Sequence, residues 1–152
     1  MRAVILFFLT VAASVFAVEV ELTTDKIIVD EINLKSMFIG NVVIVKGADR
    51  LTADTAAVYF NKRQEPMRYE ANGNVSAEIA INGKRYHASG ENLLYDAAQN
   101  IYALSKNAFL EEIDTGRKIY GDMISVDQNN GAYTVDGSLE PAKFIFQIDD
   151  KR

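Results

Sequence analysis

A chain of 152 residues with 16 basic and 21 acidic side chains, a formal net charge of −5 and no cysteine has the size of one domain. Its 49% apolar and 24% charged composition excludes a disordered or collagenous chain, and the lack of cysteine excludes a disulfide-stapled one. The acidic balance argues against a binder of nucleic-acid phosphates, so no nucleic-acid partner is expected.

The first segment has the pattern of a secretory signal. Met1-Arg2 carries one positive charge, and Ala3 to Phe16 is apolar except for Thr10 and Ser14. Val15-Phe16-Ala17 then sets small or slight residues at the −3 and −1 positions of a cleavage site. A signal peptide over 1–17 and an exported domain over 18–152 are predicted. The alternative is an uncleaved anchor, although the apolar run is shorter than the roughly 20 residues that span a bilayer. A bacterial periplasm suits an exported domain held by packing and hydrogen bonds alone.

Beyond the leader the periodicity is that of strands. Val18–Thr23, Asn41–Lys46, Val75–Ile81 and Phe144–Ile148 alternate and are rich in β-branched and aromatic residues. Asn72-Gly73, Asn82-Gly83, Asp114-Thr115-Gly116, Asn130-Gly131 and Asp136-Gly137 are hairpin signals, because these pairs accept the positive φ of tight turns. The best helical candidate is the alanine-rich Thr52–Tyr59, which Val58-Tyr59-Phe60 draws back toward strand. The chain reads as all-β.

Four blocks repeat the order small residue, acid, any, apolar, any, apolar, Asp or Tyr. They start at Thr24-Asp25, Ala53-Asp54, Gly90-Glu91 and Gly121-Asp122, and they recur about every 30 residues. An aromatic follows each block, at Phe38, Tyr69, Tyr102 and Tyr133, and Gly-Asn-Val follows the first two, at Gly40 and Gly73. Such a period means one supersecondary unit stacked on its copies. Each unit has room for two or more short antiparallel strands, so the whole should hold about 10–16 strands in two layers.

Little of this carries chemistry. His87 is the single histidine, so a His-based triad has one possible base and a metal site would need carboxylates alone. Asp25, Asp54, Glu91 and Asp122 each stand apart rather than in a calcium loop, and read better as carboxylates closing turns. Glu111-Glu112 and Asp149-Asp150 are neighbours that point to opposite faces of a strand or lie in a tail. No phosphate-cradling glycine loop is present. No catalytic residue, metal or cofactor is expected.

What remains is apolar and aromatic. Two strand layers that do not close into a barrel leave a seam, and an apolar seam can take acyl chains. At about 0.8 kcal/mol per buried methylene, a 14-carbon chain contributes up to roughly 10 kcal/mol before ordering costs. Open edge strands also template pairing with another chain.

The run from Leu22 through Asp25 and Asp30, then Phe38 to Val45, then Leu51-Thr-Ala-Asp54, resembles the OstA-like family. Gly121 to Asp127 with Tyr133-Thr-Val-Asp-Gly137 is similar to that family's C-terminal copies. The resemblance implies a twisted, V-shaped antiparallel β-jellyroll with an apolar interior, built here from about four degenerate repeats and with open edges. It implies a periplasmic protein that binds the lipid A part of lipopolysaccharide. It further implies head-to-tail stacking into a bridge between LptC at the inner membrane and LptD at the outer membrane. The groove candidates are Val20, Leu22, Ile27, Val29, Phe38, Val42, Ile44, Leu51, Val75, Ile79, Leu93, Tyr95 and Phe109, strand positions inside the matched blocks. Lys46, Arg50, Lys84 and Arg85 read as solvated surface, with contact to lipid phosphates as the alternative. The candidate joining edges are the strands at 18–23 and 143–148. Two other functions remain open: an LptC-like paralogue tethered by its N-terminal segment, and a structural β-module that uses its edges without lipid.

Overall fold

The computed structural model describes residues 19–150; the predicted signal segment lies outside the described residues. Ten strands follow one another: β1 (Val20–Thr23), β2 (Lys26–Asp30), β3 (Lys35–Lys46), β4 (Asp49–Phe60), β5 (Pro66–Ile81), β6 (Lys84–Asp96), β7 (Ile101–Glu112), β8 (Arg117–Asp127), β9 (Ala132–Asp136) and β10 (Lys143–Ile145). Every pairing is antiparallel and the order is β1-β3-β4-β5-β6-β7-β8-β10, with β2 also on β3 and β9 also on β8. Thr52–Tyr59 is strand, inside β4. The predicted last strand at 143–148 is shorter, ending at Ile145.

The strands are longer than the expected short pairs, up to 16 residues in β5, because each central one is bent rather than broken. The register slips between Ile39 and Val42, Thr52 and Thr55, Asn72 and Val75, Ser89 and Asn92, and Ser105 and Ala108. Aligned from strand to strand, these bulges add local twist and fold the sheet over on itself. One half-sheet holds β2, 35–39, 55–60, 66–72, 92–96, 101–105, 123–127 and β9. The other holds β1, 42–46, 49–53, 75–81, 84–90, 108–112, 117–121 and β10. The result is a V-shaped antiparallel jellyroll whose first and last strands do not meet.

The first two repeated acids build bends. Asp25 accepts from the Asn41 side-chain amide at 2.9 Å, and Asp54 accepts from that of Asn74 at 3.1 Å. Gly40 and Asn41 lie at φ +89° and +49°, and Gly73 and Asn74 at φ +81° and +48°, in the left-handed region that glycine and asparagine tolerate. The valine that follows is buried at once, Val42 at 1% and Val75 at 2% exposure. Gly-Asn-Val is therefore a bulge device, and Asn72-Gly73 is not a hairpin turn. Asp122 accepts from the backbone N–H groups of Leu139 and Glu140 in the β9–β10 link. That link begins at Asp136-Gly137 and is no hairpin either, since β9 and β10 pair with the same strand.

The aspartate that closes three of the blocks caps the next turn. Asp30 accepts from Ile32 and Asn33, Asp96 from Ala98 and Gln99, and Asp127 from Asn129, all backbone N–H groups at 2.9–3.1 Å. Asn82-Gly83 forms the two-residue β5–β6 turn its sequence predicts.

Candidate functional site

Directly paired residues share a face, so the register shows what the V encloses. In the first half-sheet one inward row runs Ile27, Phe38, Ala56, Ala71, Leu93, Leu104, Ile124, Val135. Beside it runs Val29, Ser36, Val58, Tyr69, Tyr95, Tyr102, Val126, Tyr133. The facing row of the second half-sheet is Leu22, Ile44, Leu51, Ala77, Ala88, Leu110, Ile119, Phe144.

These faces do not meet along their whole length. Beside the bends they are packed, with Val42, Val75, Ala108 and Ile124 at 1–2% exposure. Toward the lips they part around a cavity of about 210 Å³, lined by Val20, Ile44, Leu51 and Ile79 on one side and Tyr69, Leu93, Tyr95 and Tyr102 on the other. A second cavity of about 390 Å³ lies at the C-terminal end, between Tyr133 and Val135 of β9 and Leu110, Ile119 and Phe144 of the other layer. Alanines at 56 and 71 line the first cavity and project little into it, which is why room is left where larger side chains would have filled it.

Tyrosines line the first half-sheet's lip. Tyr69 stacks on Tyr95 at 5.8 Å between ring centroids, and Tyr95 on Tyr102 at 4.5 Å. Burial pushes the Tyr102 phenol up to about 12, helped by its tyrosine neighbours, and burial likewise raises Tyr69 and Tyr95. The hydroxyls of Tyr86 and Tyr133 bond across the seam.

A family model described as LptA/(LptD N-terminal domain) LPS transport protein matches residues 21–132. The chain belongs to this family. Its fold is similar to that of LptH, the LptA-homologous periplasmic component of the conserved lipopolysaccharide transport device from Pseudomonas aeruginosa. The TM-score is 0.73 at 18% identity, over 86% of this chain and 96% of that one, a likeness of fold. No curated protein matches the sequence. The OstA-like resemblance and the jellyroll it implies are thus shown, and the chain is of a lipopolysaccharide-transport family rather than an enzyme family.

Within this family fold, the groove candidates share the inward face with one exception. Val20, Leu22, Ile27, Val29, Phe38, Val42, Ile44, Leu51, Val75, Ile79, Leu93 and Tyr95 all pair along the enclosed rows. Phe109 does not. It sits between Ala108 and Leu110, which take the inner positions at 2% and 4% exposure, so its ring is on the outer surface beside Tyr120 at 4.9 Å. Val42 and Val75 fill the floor beside the bends instead of the open cavity. His87 is on the same outer face, with its ring edge-on to Phe109 at 6.2 Å. Sequence reasoning missed Tyr69, Tyr102 and Tyr133 as lining residues, although the aromatic after each repeat block was the signal for them.

One inward polar cluster closes the far lip. Glu112, 4% exposed, accepts from Thr115, from Arg117 Nε at 2.7 Å, and lies 3.3 Å from Lys84 Nζ. The hydrogen bond from Thr115, then those from Arg117 and Lys84, hold its carboxyl below the usual glutamate range.

Proposed function

We propose that the protein carries lipopolysaccharide through the periplasm, with the lipid A acyl chains in the seam between the half-sheets. The observation that carries this reading is two apolar sheet faces that part into open cavities where a closed sandwich would be packed shut. Burying acyl methylenes against Leu51, Ile79, Leu93 and Tyr102 contributes about 0.8 kcal/mol each, which lets an acidic protein bind a phosphorylated lipid without charge as its main grip. The outer edges of β1–β2 and β9–β10, unpaired among the described residues, suit head-to-tail stacking of copies, and at the ends of a stack pairing with LptC and LptD. Residues 1–17 act as a signal peptide removed on export. A protein that starts at Val18 by intact mass supports this, and one that keeps the segment supports the tethered, LptC-like reading.

Photo-crosslinking tests the carrier reading. A benzophenone side chain at Phe38 or Tyr95, inside the seam, should label lipopolysaccharide in cells. The same group at Met123, exposed on the outer face, should not. Equal labelling from both faces, or none from inside, refutes the carrier and leaves a structural β-module.

A further inference from the structure

We propose that the lip of the second half-sheet carries a row of phosphate-binding positions, at Lys46, Lys84 and Arg117, along which the anionic headgroup of an amphiphile is held while its tail lies in the seam. The inference rests on the carrier reading above and adds to it an orientation for the lipid.

Each of the three cations is the strand residue next to a hairpin turn, and each points inward by register. Lys46 pairs with Val20 and Asp49, Lys84 with Ile81, and Arg117 with Glu112. With strands about 4.8 Å apart, Lys46 on β3 lies roughly 14 Å from Lys84 on β6, and Lys84 roughly 10 Å from Arg117 on β8, so the row runs about 24 Å along one lip. Two carboxylates of that lip, Asp49 and Glu112, are already committed. Asp49 accepts from Arg85 at 3.2 Å and from the Ala80 backbone at 3.1 Å. Glu112 takes Lys84 and both Nε and Nη2 of Arg117, which leaves Nη1. Among the described residues Lys46 has no carboxylate partner, and it lines the 210 Å³ cavity. Arg117 lines the 390 Å³ cavity.

Four cations, counting Arg85, thus stand against three carboxylates, Asp49, Glu112 and Asp114 of the β7–β8 turn, on a chain of net charge −5. The side chains of Lys84 and Arg117 remain 55% and 42% exposed, so donors are free for a ligand. On the opposite lip the turns are capped by Asp30, Asp96 and Asp127, which with Glu31 and Glu65 outnumber Lys35, Lys62 and Arg63 of the same turns. An anion-headed amphiphile with its tail between the layers therefore meets attraction at one lip and repulsion at the other. A phosphate suits the attractive lip, since ammonium and guanidinium donors make charge-assisted bonds to its oxygens.

The test compares three probes on the purified protein below their micelle concentrations: dodecyl phosphate, dodecyl glucoside and inorganic phosphate. Dodecyl phosphate should bind about tenfold tighter than the glucoside, the worth of one or two charge-assisted bonds. That ratio should fall several-fold in the Lys46→Gln/Lys84→Gln variant, which keeps the Arg117–Glu112 pair and so the fold, and it should shrink with salt in the native protein. If the glucoside binds and the phosphate gains nothing, the lip has no such role while the carrier reading stands. If inorganic phosphate binds as tightly as dodecyl phosphate, the site takes free anions and the amphiphile proposal is overturned. If neither amphiphile binds, both readings fall.

Discussion

Replacing Gly73 by alanine tests whether the bends hold the V in shape. Gly73 lies at φ +81°, where an L-residue costs about 1–2 kcal/mol. A Cβ there would also sit 2.8 Å from Asp54 Cβ and 2.9 Å from Cγ, inside the roughly 3.5–4.0 Å of a relaxed carbon contact. Those atoms belong to the clamp on Asn74, so relief requires moving strand β4, at about 1–3 kcal/mol for overpacking of this kind. Gly83 provides the control, with φ +79° and nothing within 4 Å of a built Cβ. Gly83→Ala should lose only the backbone part, about 1–2 kcal/mol, and Gly73→Ala about 2–5 kcal/mol. At about 2–4 °C per kcal/mol in a domain of this size, thermal melts followed by circular dichroism should separate the two by several degrees. Equal losses, or a larger one at Gly83, would show that the Asp54 contact does not brace the bend.

Three further outcomes follow from burial and charge. Leu104→Ala, at a site 4% exposed in the packed core, should cost about 2–5 kcal/mol in urea unfolding; a loss under 1 kcal/mol would mean the two layers collapse freely onto the gap. Because the Glu112 carboxyl is held down in the folded protein, its contribution is complete above about pH 4.5 and lost as pH falls through the lowered value, so the melting temperature should drop at acid pH less steeply in Glu112→Gln than in the native chain. Tyr102 works in the other direction: its raised phenol favours the folded state below about pH 10 and loses that advantage as pH climbs toward 12. A phenolate titration near 295 nm should therefore lose its most alkaline step in Tyr102→Phe, and a titration with that step intact would place the buried hydroxyl elsewhere.

Much of the site was legible because a strand's period is two. Val20, Leu22, Ile44 and Leu51 fall on one face by parity alone, and the register merely joins them. Phe109 failed for the same reason: an aromatic in a strand looks like core, but its neighbours Ala108 and Leu110 hold the inner positions. Alanine hid the rest. Ala56 and Ala71 raise little hydrophobic signal, yet their small volume leaves room in the cavity they line.

The four repeat blocks, the all-β class and the inward set were determined by local pattern, since alternation and left-handed Gly-Asn pairs are properties of a few consecutive residues. Asn72-Gly73 shows where that locality ends: the same dipeptide makes a hairpin or a bulge depending on whether a neighbouring strand offers Asp54 to clamp the asparagine beside it. Only the tertiary structure decided this, and with it the fold of one long sheet into a V with a basic and an acidic lip. Lys46, Lys84 and Arg117 are far apart in sequence, and it is strand pairing across β3 to β8 that brings them to one edge.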